Sequence, residues 1–192
     1  MKPIIFSTPM IRAILAGTKT QTRRPIIPQP VGEIRQDTAG DYGEDYGGGV
    51  VLLKPPFKPG DVLYVRETWA NLGWDNYIYK ADDLKRYEHY QKWRPSIHMP
   101  QSAARIFLKV TNVTAEKLWD IREADAIAEG IQHKCGDCTE CEGENTGNDC
   151  TDYRLAFSKL WDSIYAKKPE YKWDKTPWIW KISFERTYDI SA

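Results

Sequence analysis

Apolar side chains recur at helical spacing in three parts of the chain, and each part is bounded by residues that start or stop helices. The first helix is predicted over about residues 9 to 16, with a hydroxyl N-cap at Thr8, proline at its first position and Gly17 just beyond its end. Its apolar stripe consists of Ile11, Ile14 and Leu15. The segment from Thr18 to Arg24 is rich in β-branched threonine, which favours an extended conformation.

Two further helices are predicted in the second half of the chain. One begins at Asp120, because Glu123 three residues later completes a capping box, and ends at Gly130. Its buried side is expected to consist of Ala124, Ile127 and Ala128. The other has the longest apolar face, which covers three helical turns and consists of Tyr153, Ala156, Phe157, Leu160, Trp161 and Ile164.

Three strands are predicted between and after these helices. Residues 62–69 begin with a nearly continuous apolar run, which favours burial on both faces, and residues 105–113 form the second strand. In the third strand, apolar side chains alternate onto one face at Trp178, Trp180, Ile182 and Phe184. Residues 25–60 contain six prolines and a Gly- and Tyr-rich patch, so a long loop with a short hairpin is expected there. The order of elements predicts a small α+β domain, a curved sheet or barrel with helices packed on it.

Charge and hydropathy exclude two classes of protein. The chain has 27 basic and 27 acidic residues and a formal net charge of zero, which argues against a general polyanion binder. The sequence contains no run of 18 apolar residues, so no membrane-spanning helix is predicted. The apolar run at residues 3–6 is too short for a signal peptide. A cytoplasmic location is therefore expected.

The segment from Gly17 to Arg24 concentrates one lysine, three threonines and two arginines directly after the first helix. Such polar density beside an apolar element is expected where side chains face a pocket or an anionic ligand. The alternative is a solvated basic strand edge, on which Lys and Arg prevent pairing with other chains.

Within this segment, Gly17-x-Lys19-x-x-Thr22-x-Arg24 resembles the signature G-x-K-x-x-[E/T]-x-R of ASCH domains, which are PUA-like β-barrels. Residues 60–69, 121–130 and 178–180 resemble later segments of the same family, in the same order. The pattern is similar to the larger ASCH proteins of phage and prophage genomes. The resemblance implies one ASCH domain over residues 1–192, a curved β-barrel with flanking helices. Insertions are expected near residues 30–58 and 70–95, together with a Cys-rich loop at 133–150.

One branch of the ASCH family hydrolyses the acetyl amide of N4-acetylcytidine. The residues that this branch uses correspond here to Lys19, Thr22 and Glu129, so the resemblance implies these as catalytic residues. Lys19 is expected as a base, Thr22 as a nucleophile or as the group that positions a water, and Glu129 as the acid that protonates the leaving amine. This chain is longer than those hydrolases.

Two alternatives to an amidohydrolase remain open. A PUA-like barrel is often a non-catalytic RNA-binding module, and Lys19, Arg23, Arg24 and Arg105 would then line a groove for a short strand. The other alternative is a phage regulatory protein whose Cys-rich loop contacts a protein partner.

Four further residues are candidates for binding a nucleoside or RNA base. Arg24 or backbone amides are expected to stabilise a developing oxyanion, and Trp69 and Tyr79 to stack on a base. For the two aromatic residues, core packing is the alternative. Arg66 is adjacent to Glu67 on a predicted central strand, so one of the two is expected to be buried in an ion pair.

All four cysteines fall within sixteen residues, in the pattern C-x2-C-x2-C-x8-C formed by Cys135, Cys138, Cys141 and Cys150. In a cytosolic protein such spacing indicates a structural zinc site that orders an otherwise polar loop. His133 is a possible replacement for one thiolate. An iron–sulfur cluster is the second interpretation, and disulfides or free thiols without a metal are the third.

Overall fold

The computed structural model describes residues 1–38, 40–46, 49–74, 76–82, 92–131 and 153–188. Its first helix, α1, spans Thr8–Leu15 and confirms the prediction to within one residue. Thr8 is not the N-cap, however, because the helix begins at Thr8 itself and Ser7 holds the extended N-cap conformation without a capping side-chain hydrogen bond. Gly17 has a φ of 75°, the left-handed conformation that glycine adopts beyond a helix end.

The second helix, α2, spans Glu123–Ala128 and is capped differently from the prediction. Its N-cap is Arg122, whose backbone N–H donates to Asp125 Oδ2 at 3.2 Å, so the predicted capping box of Asp120 and Glu123 is wrong. The buried positions also differ, since Ala126 is buried while Ala124 and Ile127 are exposed. Because the helix has only six residues, contacts with the rest of its apolar core cluster, rather than helical periodicity, determine which face is buried.

The third helix, α3, spans Tyr153–Tyr165 as predicted. It buries Phe157, Ser158 and Trp161, while Ile164 is exposed. Trp161 is fixed by its ring N–H, which donates to the Tyr171 carbonyl oxygen at 2.6 Å. Among the described residues, no helix has the length and apolar character needed to span a lipid bilayer.

Five strands form one sheet: β1 at Lys2–Ile5, β2 at Gln21–Pro25, β6 at Val62–Arg66, β9 at Phe107–Lys117 and β10 at Trp178–Thr187. Their order in the sheet is β1-β6-β9-β10-β2. Strand β1 pairs in parallel with β6, and β6 pairs antiparallel with β9. The predicted α+β class is confirmed. In the described part of the chain, the sheets do not close into a barrel.

The region predicted as a long loop with a short hairpin contains a three-stranded antiparallel sheet. Its strands are β3 at Ile34–Gln36, β4 at Tyr42–Tyr46 and β5 at Gly49–Leu53. The sequence did not predict this sheet, because the region has prolines at both ends and proline is depleted in strands.

The predicted strand over residues 62–69 ends earlier, at Arg66, and a separate hairpin follows it. This hairpin pairs β7, Trp69–Asn71, with β8, Tyr77–Tyr79. In β6, Leu63 and Val65 are buried while their neighbours are half-buried, so the expectation of burial on both faces is wrong. The strand shows the alternation of a sheet with one better-covered face.

The chain divides into two compact units. The first unit consists of Met1–Thr20, Pro56–Val113 and Ile182–Ala192, and one of its apolar clusters contains Trp69, Met99 and Ala103. The second unit consists of Gln21–Pro55 and Thr114–Lys181. Its apolar core packs α2 and α3 together through Leu118, Ile121, Ala126, Phe157, Trp161 and Ile179.

Candidate functional site

The centre of the charged cluster in the second unit is the guanidinium of Arg23, whose side chain has no solvent-exposed area. Its Nε and Nη2 donate to Glu116 Oε1 at 3.1 and 2.8 Å. Its Nη1 donates to Glu129 Oε1 at 3.2 Å, and Nη2 lies 3.5 Å from Asp125 Oδ1. One buried cation from β2 therefore contacts carboxylates from β9, α2 and the residue that follows α2.

A second cation completes this cluster. Lys181 Nζ lies 2.9 Å from Glu116 Oε2 and 3.8 Å from Asp125 Oδ1. The two oxygens of Glu116 thus contact different cations, Oε1 facing Arg23 and Oε2 facing Lys181. Such opposed charges are expected to fix one another's side chains, because a buried charge is tolerated only with partners.

Asp125 has a double role in the cluster. Burial acts to raise the pKa of its carboxyl, but the backbone N–H of Arg122 and the charges of Arg23 and Lys181 lower that pKa below its ordinary value. Gln21 Nε2 also donates to Asp125 Oδ1, at 3.1 Å. Asp125 therefore both caps α2 and connects the helix to β2.

Glu129 is buried, with 4% of its surface exposed, and is the C-cap residue of α2 rather than part of its last turn. A carboxylate at the C-terminal end of a helix faces an unfavourable dipole. Here Arg23 Nη1 donates a hydrogen bond to Glu129 Oε1, so the side chain has a cationic partner at this helix end.

Thr22 and Arg24 flank Arg23 on β2. Thr22 is buried, at 3% exposure. The Arg24 side chain hydrogen-bonds Tyr165 on α3, and burial raises the pKa of the Tyr165 hydroxyl although this arginine acts to lower it. Tyr165 ends the apolar face of α3 and also packs on the Trp161 ring, at 4.5 Å between centroids.

Lys19 belongs to the first unit and is also buried, at 2% exposure. The backbone N–H groups of Thr18 and Lys19 both donate to the Ala13 carbonyl oxygen, at 2.9 and 3.1 Å, so the chain makes a turn between α1 and β2. The Lys19 Nζ lies 5.4 Å from the centroid of the Phe6 ring.

The first unit contains a buried carboxylate, Glu67, which confirms the prediction that one of the adjacent residues Arg66 and Glu67 is buried in an ion pair. Arg105 pairs with Glu67 through Nε to Oε1 at 2.9 Å, and its Nη1 lies 2.7 Å from Asp82 Oδ1. Burial raises the pKa of the Glu67 carboxyl, although the Arg105 guanidinium acts to lower it.

The remaining candidate ligand-binding residues have contacts within the first unit. Arg66 donates from Nε to the Met99 carbonyl oxygen at 2.9 Å, and its Nη2 also donates to the Ile97 carbonyl oxygen. The buried Trp69 ring packs edge-on against Tyr77, with centroids 5.6 Å apart. Tyr79 donates its hydroxyl to the Ala103 carbonyl oxygen at 2.7 Å and lies under the Arg105 guanidinium. Ligand binding by Arg66, Trp69 and Tyr79 stays a prediction.

The predicted metal ligands Cys135, Cys138, Cys141 and Cys150, and also His133, lie outside the described residues. Within the described ranges, no group of three or more His, Cys, Asp or Glu residues is arranged to hold a metal ion.

Several residues of the charged cluster were missed by the sequence reasoning as site components, namely Gln21, Glu116, Asp125, Tyr165 and Lys181. The sequence predicts Arg23 only as part of an RNA-binding groove, whereas its side chain is buried and hydrogen-bonded to carboxylates. The sequence signal that could have marked Arg23 is its position inside the ASCH-like motif, directly between Thr22 and Arg24. No such signal marks Lys181 or Glu116, and Glu116 is 93 residues from Arg23 along the chain.

Comparison of the chain with protein-family models, with curated proteins and with solved structures finds no match.

Proposed function

We propose that this protein binds a nucleoside or an RNA base and removes the acetyl group from N4-acetylcytidine or a related acylated nucleoside. The observation that supports this proposal is the burial of Lys19, Thr22 and Glu129. Among the described residues, seven polar or charged side chains are buried, and these three are among them. Burial of a lysine and a glutamate is costly and is common at functional sites, where it tunes reactivity.

In the proposed reaction, the Thr22 hydroxyl or a water that it positions attacks the acetyl carbonyl carbon. Lys19 accepts the proton of the nucleophile, the bond from the carbonyl carbon to N4 breaks, and N4 leaves with a proton delivered by Glu129. If Thr22 is the nucleophile, water then hydrolyses its acetyl ester. Lys19 and the acetic acid formed each release a proton to solvent, and Glu129 takes one proton back from it. The net reaction therefore adds one water to the amide and gives cytidine, acetate and one proton. Arg24 stabilises the negative charge that develops on the carbonyl oxygen.

The proposal extends to the fold, the cofactor and the location that the sequence implied. We propose a PUA-like architecture of the ASCH type, supported by the α+β content and the five-stranded sheet with β6, β9 and β10 at its centre. We also propose a structural zinc at the four cysteines and a cytoplasmic location, both supported by the sequence alone.

The non-catalytic RNA-binding alternative has less support from the contacts of the basic residues. Of the four arginines and lysines assigned to the RNA groove, Arg23 is buried against three carboxylates and Arg105 pairs with Glu67 and Asp82. A guanidinium engaged in this way has fewer donors for phosphate oxygens, which supply most of the affinity for nucleic acid.

The test is chromatography of the protein incubated with N4-acetylcytidine. The wild type is compared with Lys19→Ala and with Lys109→Ala, which removes an exposed lysine from β9 and serves as the matched control. We expect cytidine from the wild type and from Lys109→Ala, and none from Lys19→Ala with an unchanged circular dichroism spectrum. Absence of cytidine from folded wild-type protein would refute this substrate and favour RNA binding, which salt-dependent titration with a short RNA then measures.

A further inference from the structure

We propose that Arg23 is a positioning residue for catalysis, which holds the carboxylate of Glu129 in its working orientation. This inference rests on the proposed function and adds to it a residue that occupies a variable position of the ASCH-like motif. Arg23 acts through Glu129, so it is not assigned a contact with substrate.

The first argument is the position of Glu129 in the chain. It follows the last residue of α2, a helix of only six residues, so the helix itself restricts the carboxylate little. The hydrogen bond from Arg23 Nη1 to Glu129 Oε1, at 3.2 Å, links this carboxylate to β2. Misplacing a reacting group by about 1 Å can reduce a rate about 100-fold, so such a link has catalytic value.

The second argument is that Arg23 is itself held from three sides. Its Nε and Nη2 both bind Glu116 Oε1, its Nη2 faces Asp125, and its Nη1 lies 3.5 Å from Gln21 Oε1. Lys181 in turn holds the other oxygen of Glu116. A guanidinium with so many fixed partners has one orientation, and it transfers this constraint to Glu129.

The third argument is energetic. The Arg23 side chain is fully buried, and a buried ion cluster is often no more stabilising than an apolar cluster of the same shape. Stability alone is therefore a weak reason for this site to contain a charged cluster instead of an apolar one. Placing a reactive carboxylate is a role that apolar packing cannot supply.

The test compares kcat and KM for N4-acetylcytidine in three variants. Arg23→Lys keeps the charge but loses the planar set of donors, and we expect kcat to fall about 100-fold with KM little changed. Glu116→Gln leaves Arg23 in place but weakens its main anchor, and we expect a smaller fall in kcat with the same unchanged KM. Arg12→Gln is the matched control, because it removes a guanidinium that is hydrogen-bonded in the other unit, from Nε to the Ala81 carbonyl oxygen at 2.9 Å, and that has no assigned catalytic or binding role.

Thermal melts give the temperature at which each variant begins to unfold, and the kinetics are measured below that temperature. If Arg23→Lys does not fold, Glu116→Gln decides the question. Wild-type kcat in both variants, or an equal loss of kcat in Arg12→Gln, would overturn the positioning role and leave the proposed function intact. Absence of cytidine from the wild type would instead refute the proposed function, and the positioning role with it.

Discussion

The guanidinium of Arg105 forms two hydrogen bonds with the buried carboxylate of Glu67, from Nε to Oε1 at 2.9 Å and from Nη2 to Oε2 at 3.1 Å. Glu67 is only 1% exposed, and its backbone N–H donates to the Met99 sulfur at 3.2 Å. The remaining nitrogen of Arg105, Nη1, contacts Asp82. The pair connects the end of β6 to the segment that precedes β9, so it fixes two neighbouring parts of the first unit.

Removing only Arg105 should be costly, because it leaves the Glu67 charge buried without its partner. We expect Arg105→Leu to lower the free energy of unfolding by about 3 kcal/mol. The double variant Glu67→Leu/Arg105→Leu should recover part of that loss, since neither charge then remains. Urea denaturation of the wild type, both single variants and the double variant measures the coupling. A double variant that loses the sum of the two single losses would contradict the prediction.

Stability should also depend on pH through Glu67. Burial raises the pKa of this carboxyl above its ordinary value of 4.5. Between pH 4.5 and the higher pKa of the folded state, the folded protein therefore holds a proton that the unfolded chain has released. Its contribution to the free energy of unfolding is therefore fully present below pH 4.5 and is lost as the pH rises through the pKa of the folded state. The stability of the wild type relative to Glu67→Gln should therefore fall as the pH rises above 4.5 in urea titrations.

Asp61 supplies a control of opposite sign for that experiment. Burial acts to raise the pKa of Asp61, but hydrogen bonds from the Lys2 side chain and the Lys58 backbone lower it below 3.8. Its contribution is present above pH 3.8 and is lost as the pH falls through the pKa of the folded state. The stability of the wild type relative to Asp61→Asn should therefore rise with pH in the acid range. Parallel curves for Glu67→Gln and Asp61→Asn would show that the Glu67 interpretation is incorrect.

The turn between α1 and β2 should require glycine at position 17. Its φ of 75° is unfavourable for other residues, and a Cβ there would meet no atom within 4 Å, so only the backbone conformation opposes a side chain. We expect Gly17→Ala to lower the free energy of unfolding by about 1 kcal/mol, and Gly17→Asn to lower it less. Urea denaturation measures both, and a loss in Gly17→Asn larger than that in Gly17→Ala would contradict this account.

The four cysteines should bind one zinc ion per chain. We expect elemental analysis of the purified protein to find zinc at about one equivalent, and Cys138→Ser to reduce it, because a structural zinc site uses four ligands. Iron together with visible absorption would favour the iron–sulfur interpretation. If the purified, folded protein contains neither zinc nor iron, the zinc site and the iron–sulfur cluster are both excluded, and the cysteines are free thiols or disulfides.

Local sequence rules determined the elements whose signals lie within one segment. α1 and α3 follow from apolar residues at helical spacing, and the turn at Gly17 follows from a residue that tolerates positive φ. The resemblance to the ASCH family, rather than local periodicity, indicated Lys19, Thr22 and Glu129 as candidate catalytic residues, and all three are buried.

Tertiary structure decided what depends on partners distant in the chain. The sequence indicated an apolar side of α2 at Ala124 and Ile127, yet the helix buries Ala126 and places Glu129 against Arg23, 106 residues away. The sheet of β3, β4 and β5 likewise formed in a segment whose prolines and glycines indicated a loop. Periodicity within one segment shows which positions can share a face, whereas the burial of a charge depends on whether the fold brings an opposite charge to it. For Arg23, that opposite charge comes from Glu116, Asp125 and Glu129, and only the folded chain brings these residues together.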